Sequence, residues 1–405
     1  MDLMKKSLEM HEHYGGKMEI RSKVPVQDKY DLSLAYSPGV AAPCLEIEKN
    51  PSLVYDYTMK GNLVAIVTDG TAVLGLGDIG PEAALPVMEG KALLLKRFAN
   101  VDAVPVCLGT KDVDEIVRVV KAISPTYGGI NLEDISAPRC FEIEDRLRAE
   151  CNIPVFHDDQ HGTAIVVGAG LINANKIIGK DIETMKVVIN GAGAAGIAIL
   201  RIMLQMGYKN IVMCDTKGII YEGRPEGMNP IKDGIANLTN PEGLRGSLDD
   251  ALVGADVFIG VSVADLLTEA HIKSMAKDPI VFALANPNPE ITPANAKAWG
   301  VRIIGTGRSD YANQINNMLA FPGIFRGALD VRATDINEAM KLAAVEAIAS
   351  LVTDEELNED FIIPSSMDER VAGVVAKAVG SAAIDSGVSE LFNQPINDKD
   401  TIIAI

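Results

Sequence analysis

Apolar and polar positions change period repeatedly along this chain, and the changes predict its elements. Short apolar runs that end in turn residues read as buried strands: "LVAIVTDG" (63–70), "AVPVCL" (103–108), "GGINLEDI" (128–135) and "IPVFHDD" (153–159). Between them, "PEAALPVMEGKALLLKRFA" (81–99), "DVDEIVRVVKAIS" (112–124) and "FEIEDRLRAE" (141–150) place apolar residues at helical spacing. Pro81 and Glu82 suit a first helical turn. A helix is expected over 2–14, a loop over 36–52, and a short strand with a glycine-rich loop in "AVLGLGDIG" (72–80). A long apolar helix is expected to start near Thr163 and bridge to a second unit. There "KVVINGAGAAGIAILRIMLQMG" (186–207), "NIVMCD", "ADVFIGVS", "IVFALANPNPE" and "VRIIGTG" continue the alternation, and the chain after "FPGIFRGALD" (321–330) is mainly helical. Strands alternating with helices predict α/β packing on parallel sheets. The expected domains are 1–160 and 161–405, the second a Rossmann-type dinucleotide-binding unit with a helical C-terminus.

Composition narrows the partners. The 405 residues are 48% apolar and 23% charged, with 37 basic against 55 acidic side chains and a formal charge of −18. So acidic a chain lacks the basic footprint that nucleic acid or anionic lipid requires. The five cysteines, at 44, 107, 140, 151 and 214, are odd in number and form no CxxC, so no disulfide framework is expected, and burial is the simplest reading of Cys107, Cys140 and Cys214. No signal-peptide pattern or membrane-spanning run is present, which makes the cytoplasm the expected location.

The most explicit motif is "NGAGAAG". Gly191, Gly193 and Gly196 have GxGxxG order, after a strand and before a helix, with Ala194 and Ala195 inside the turn. The first glycine allows the tight turn, the second lets backbone approach a pyrophosphate, and the third lets helix and strand pack closely. Asp215 ends the next strand and is placed to accept hydrogen bonds from an adenosine ribose. Its charge would repel a 2′-phosphate, which favours NAD over NADP, although Lys217 lies close enough to weaken the preference.

Two acidic pairs end strands of the first unit: Glu133–Asp134 in "NLEDIS" and Asp158–Asp159 in "FHDDQHGTA". In a parallel sheet these exits share one edge, so Glu133, Asp134 and Asp159 can converge as hard oxygen ligands for Mg²⁺ or Mn²⁺. They can equally be solvated charges, with Asp159 a helix cap. His157 and His161 read as structural histidines. Lys91 lies among apolar residues, where burial would lower its pKa toward general-base range, or it is a solvated helix lysine. Tyr36 sits in a Pro/Gly-rich loop where a phenol can donate a proton or simply pack. Asn286, Asn316 and Asn317 can bind a carboxylate or a nicotinamide amide, or satisfy loop backbone.

Taken together, "YSPGV", "TDGTAVLGLGDIGPEAALPVMEGKALLLKRFA", "NLEDI", "FHDDQHGTA", "NGAGAAG", "ANPNPE" and "NNMLAFPG" resemble the malic enzyme family in its compact prokaryotic form. The resemblance implies a malic-enzyme-type N-terminal α/β domain before the Rossmann-type domain. It implies oxidative decarboxylation of L-malate to pyruvate and CO₂ with NAD or NADP and a divalent cation, decarboxylation of oxaloacetate, and a homodimer. It makes Lys91 the general base, Tyr36 the general acid and Asp158 part of the proton network. Glu133, Asp134 and Asp159 become the metal ligands, and Asn286 and Asn317 position malate. One departure stands out: larger members carry an arginine shortly after "TDG" that binds a malate carboxylate, where this chain has Thr71 and Ala72. The competing readings are a 2-hydroxy-acid or amino-acid dehydrogenase without decarboxylation, and a non-catalytic NAD-binding regulatory module. Neither gives the two acidic strand exits a common role.

Overall fold

The computed structural model describes residues 3–73 and 75–391, so Asp2 and Leu74 of the expected elements lie outside it. Two sheets, parallel except for one short edge strand of the second, follow one another along the chain. The first holds β1 (Leu63–Thr68), β2 (Asp102–Cys107), β3 (Gly129–Leu132) and β4 (Val155–His157) in the order β2-β1-β3-β4. Ala65 of β1 lies opposite both Val104 and Ile130, and every residue of β1, β3 and β4 is buried. Burial on both faces explains why these strands read as continuous apolar runs.

The second sheet holds β5 (Lys186–Asn190), β6 (Asn210–Asp215), β7 (Gly218–Ile219), β8 (Val257–Gly260), β9 (Ile280–Ala283) and β10 (Ile303–Thr306) in the order β10-β9-β8-β5-β6-β7. β5 pairs with β6 on one side and β8 on the other, so the connection reverses direction there. The crevice outside the carboxyl ends of such strands is where open α/β sheets bind ligands. β7, which the periodicity does not predict, is a two-residue antiparallel return against Cys214–Asp215.

One apolar cluster runs through both sheets, from Val64 and Phe156 to Ile189 and Phe282. Its centre is the Asp158–Ile178 helix, buried on nearly every face, as expected of a helix that is apolar all round. That helix starts at Asp158 rather than near Thr163. Paired carboxylates in a first turn face the unpaired N–H groups and the positive end of the helix dipole, which favours helix from the first aspartate onward.

Two further expectations fail locally. The stretch over 36–52 is not a loop: Ala41–Lys49 is helical. Pro43 lies in its first turn, where a missing N–H costs nothing. "AVLGLGDIG" forms no strand among its described residues, only a bridge between Val73 and Gly77. Gly75, Gly77 and Gly80 hold positive φ, which bends the segment. No helix of the described residues is long and apolar enough to cross a membrane. All five cysteines are free; Cys140 and Cys214 are buried and Cys107 partly so.

Candidate active site

The carboxyl ends of both sheets face one cleft of about 940 Å³. Lys91, Glu133, Asp134 and Asp159 line it from the first sheet, and Gly193, Ala194, Ala195, Val261, Ser262, Asn286 and Asn317 from the second. Lys91 and the expected metal and nicotinamide residues thus meet on one surface; Asp158 is buried behind it against Lys91, and Tyr36 lies apart. Tyr36 ends the Lys29–Ala35 helix, is 70% exposed and lies outside the cleft wall.

Lys91 projects from the Pro81–Ala99 helix and is buried. Its ammonium contacts Asp158 Oδ2, lies 3.0 Å from Glu133 Oε1 and stands 4.3 Å above the centre of the Phe321 ring. A desolvated cation over an aromatic face gains about 2 kcal/mol. Burial disfavours the charge, but Asp158, Glu133 and Asp159 outweigh it and hold the lysine above its ordinary pKa. The sequence-based expectation of a lowered pKa is therefore corrected: three carboxylates stand where apolar neighbours were assumed. Asp158 is fully buried, and burial pushes its carboxyl up to about 7 against the pull of Lys91. Gly162, one helical turn on, makes the space, because a Cβ there would collide with Asp158 Oδ1.

Glu133, Asp134 and Asp159 each place a carboxylate oxygen within 4.8 Å of the other two. Asp134 adopts φ +54°, a left-handed conformation that aspartate tolerates. Its backbone N–H donates to Asp159 Oδ2 at 2.7 Å, while its buried Oδ2 has no partner. Burial, helped by the neighbouring carboxylates, raises Glu133 to about 7, Asp134 to about 9 and Asp159 to about 6. An unpartnered buried oxygen inside a cluster of like charges fits a hard divalent cation.

The histidines are not members of this cluster, although His157 Nε2 lies 3.8 Å from Asp159 Oδ2. His157 is fully buried with neither ring nitrogen hydrogen-bonded, and burial lowers its pKa to about 4, which keeps it neutral. His161 Nε2 lies 2.8 Å from Glu144 Oε1, and Gln160 donates to Glu144 Oε2 at 2.9 Å. Glu144 thereby holds the first turn of the helix that carries Asp158 and Asp159. Lys341, from the Glu338–Ser350 helix, lies 3.4 Å from His161 Nε2 and pairs with Glu338 at 2.7 Å. Sequence reasoning gave Glu144 and Lys341 no role. Glu144 sits in a charged helix and Lys341 in a mostly apolar one, and only tertiary packing marks either as buried.

The dinucleotide turn fits its ligand class. Gly191 has φ +124°, a Cβ on Gly196 would strike the Gly191 carbonyl, and a Cβ on Gly193 would meet nothing within 4 Å. The second glycine therefore opens onto free space where a phosphate can approach. A second cavity of about 650 Å³ continues from this turn past Asp215, Lys217 and Lys232. Asp215 ends β6 as expected, but its oxygens are already engaged: Arg224 donates at 2.8 and 2.5 Å, Lys232 at 2.6 Å and the Lys217 N–H at 2.8 Å. These donors overcome the effect of burial and hold its carboxyl down at about 2.

In the segment after "TDG", Thr71 Oγ1 donates to buried Asp69 at 2.6 Å. Arg139 pairs with Asp69 at 2.8 Å and donates to Thr71 Oγ1 at 3.0 Å and Ser136 Oγ at 3.2 Å. The Arg139 guanidinium is thus engaged by Asp69, Thr71 and Ser136, and Ser136, Asn286, Asn316 and Asn317 are among the neutral polar residues that line the cleft.

Known proteins resemble this chain in sequence and fold. The profile of the malic enzyme N-terminal domain matches residues 15–148, and that of the malic enzyme NAD binding domain matches 160–384. A bifunctional malic/malolactic enzyme of Bacillus subtilis is 63% identical over 98% of this chain and 96% of its own length. An NAD-dependent malic enzyme of Geobacillus stearothermophilus is 59% identical over 95% of this chain and 80% of its own. The crystal structure of malic enzyme from Pyrococcus horikoshii superposes with a TM-score of 0.93 at 48% identity, covering 99% of this chain and 94% of that one.

Proposed function

The chain belongs to the malic enzyme family, and from that premise we propose that its cleft oxidises L-malate with NAD or NADP and decarboxylates the product to pyruvate. The observation that carries the reading is the Lys91–Asp158 pair, set between the three-carboxylate cluster and the glycine turn. Lys91 stands where it can take the proton of a substrate 2-hydroxyl. Its carboxylate neighbours hold Lys91 protonated, so it takes that proton only after giving up its own, and Asp158, which burial pushes up to about 7, is the acceptor in contact with it. Asn286 and Asn317 present neutral amides that orient a carboxylate or the nicotinamide amide without repelling either.

Glu133, Asp134 and Asp159 are the residues that would hold Mg²⁺ or Mn²⁺. What the cation supplies when bound is a Lewis acid for the substrate's 2-oxygen and positive charge that offsets the carboxylates holding Lys91 protonated. What NAD or NADP supplies is the hydride acceptor. At the adenosine end, the charge of Asp215 is overcompensated by Arg224, Lys232 and Lys217, so a 2′-phosphate is met by cations rather than repelled.

Malate turnover with Mn²⁺, followed separately with NAD and NADP, tests the reading. Pyruvate, CO₂ and reduced cofactor should appear together, and NADP should support turnover at least as well as NAD. Oxaloacetate that accumulates without pyruvate would support simple dehydrogenation instead, and cofactor binding without turnover would support a regulatory module. Lactate is followed too, because the Bacillus subtilis relative is named for both reactions. Lactate without net reduced cofactor would mean that the hydride returns to pyruvate before release.

A homodimer completes the proposal. The helices Leu3–Tyr14, Lys29–Ala35 and Ala41–Lys49 contain no buried residue, and Leu3, Leu8, Ile20, Leu34 and Leu45 are more than half exposed. So much apolar surface in one region marks an association face. Tyr36 lies within it, and a second copy is the means of bringing its phenol to a cleft as general acid. The solution mass should be that of two chains. A monomer with full malate activity would remove both the dimer and this route for Tyr36. Such an acidic chain without a spanning helix among its described residues is proposed to work in the cytoplasm.

A further inference from the structure

We propose that Glu290 is a positioning residue: its buried carboxylate clamps the loops after β8 and β9 into the wall that receives the nicotinamide cofactor. The inference rests on the reading of the cleft as a dinucleotide site. Glu290 is 0% exposed. Its Oε1 accepts the backbone N–H of Ser262 at 3.0 Å, and its Oε2 accepts the backbone N–H of Ala285 at 3.0 Å. Ser262 follows β8, Ala285 follows β9, and both line the cleft beside Asn286. The backbone of the same segment fastens the other side, with Leu267 N–H donating to the Glu290 carbonyl at 2.9 Å and Asp265 N–H to that of Pro289 at 3.1 Å. Asn190, immediately before Gly191, donates to Ser262 Oγ at 2.8 Å. The carboxylate therefore ties the exits of β8 and β9 to each other, and Asn190 ties the exit of β5 to the same Ser262.

Two observations separate this from ordinary loop packing. Gly260 ends β8, and a Cβ there would run into the Glu290 carboxylate, so the strand must be bare for the clamp to close. No basic side chain pairs with Glu290 among the described residues; backbone N–H groups and Ser262 carry its interactions. Two N–H donors from different loops converge on an anion, and an amide cannot replace it, because its NH₂ would face one of them.

The test uses Glu290→Gln, which keeps the shape and removes one acceptor, and Gly260→Ala, which displaces the carboxylate without touching the cleft. NADH binding is measured by its fluorescence, alongside circular dichroism, Mn²⁺-induced thermal stabilisation and steady-state kinetics. Both variants should stay folded and keep the Mn²⁺ response, whose residues belong to the other sheet. Both should weaken NADH binding by about ten-fold or more, with KM for the oxidised cofactor rising more than kcat falls. A folded variant of either kind that binds NADH within about two-fold of the parent overturns the clamp. So does loss of the Mn²⁺ response in parallel with NADH binding, which would make Glu290 a general stability residue. A parent protein that binds NADH but turns over no malate overturns the proposed reaction, and the clamp is then judged on binding alone.

Discussion

Replacing Lys91 by methionine should lower kcat for malate oxidation by about 10³-fold or more while leaving NADH affinity within a few-fold of the parent. Methionine keeps most of the side-chain volume against Phe321, so the loss reports proton transfer and charge rather than a cavity. Asp158 and Glu133 lose their cation partner, and such buried carboxylates take up protons instead of remaining as isolated charges. Lys91→Arg separates two accounts of the residue. It restores a cation beside Asp158 and Glu133 but cannot give up its proton near neutral pH. If Lys91 is the base, arginine restores stability and substrate affinity but not kcat. If Lys91 only anchors negative charge, arginine restores much of the turnover. Parent-like turnover in Lys91→Met would remove the lysine from the mechanism altogether.

How far the sequence revealed this site depends on what each residue relies on. The strands were legible because both faces of β1, β3 and β4 are buried and leave uninterrupted apolar runs. The convergence of Glu133, Asp134 and Asp159 was legible because carboxyl ends of parallel strands share an edge, whatever lies between them in sequence. The glycine turn was legible because its spacing is local. The charge state of Lys91 was not, since three carboxylates from other elements set it. The neutralisation of Asp215 depends on Arg224 and Lys232, from residues beyond β7, and periodicity carries no trace of that pairing. Glu290 and Glu144 were missed for a common reason: each holds groups from other elements, and a one-dimensional pattern records only the element a residue belongs to.

Asp159→Asn should leave the metal-free protein as stable as the parent, or more so, while its Mn²⁺-induced rise in Tm shrinks to a small fraction. These two effects run in opposite directions, and electrostatics requires both. Asp159 shares its cluster with Glu133 and Asp134, and among the described residues Lys91 is the cation that offsets these three acids. Burial and mutual repulsion raise the three to about 6, 7 and 9, above ordinary values of 3.8 and 4.5. The folded state therefore holds these protons more tightly than the unfolded chain does. The stability this lends is complete below the ordinary carboxylate range and is lost as pH rises through the folded values. Cation binding needs the deprotonated forms and releases protons, so the Mn²⁺-induced rise in Tm should grow between pH 6 and 9 in the parent. Asparagine keeps the shape and one oxygen but removes a charge. The repulsion that destabilises the metal-free cluster falls, and so does the attraction that holds the cation. Malate turnover should then fall by about 10²-fold or more at low Mn²⁺ and recover in part at high Mn²⁺. Thermal melts with and without Mn²⁺ at three pH values read both effects together. A metal-free Asp159→Asn protein much less stable than the parent would show that the carboxylate works as a structural cap, and an unchanged Mn²⁺ response would remove it from the ligand set.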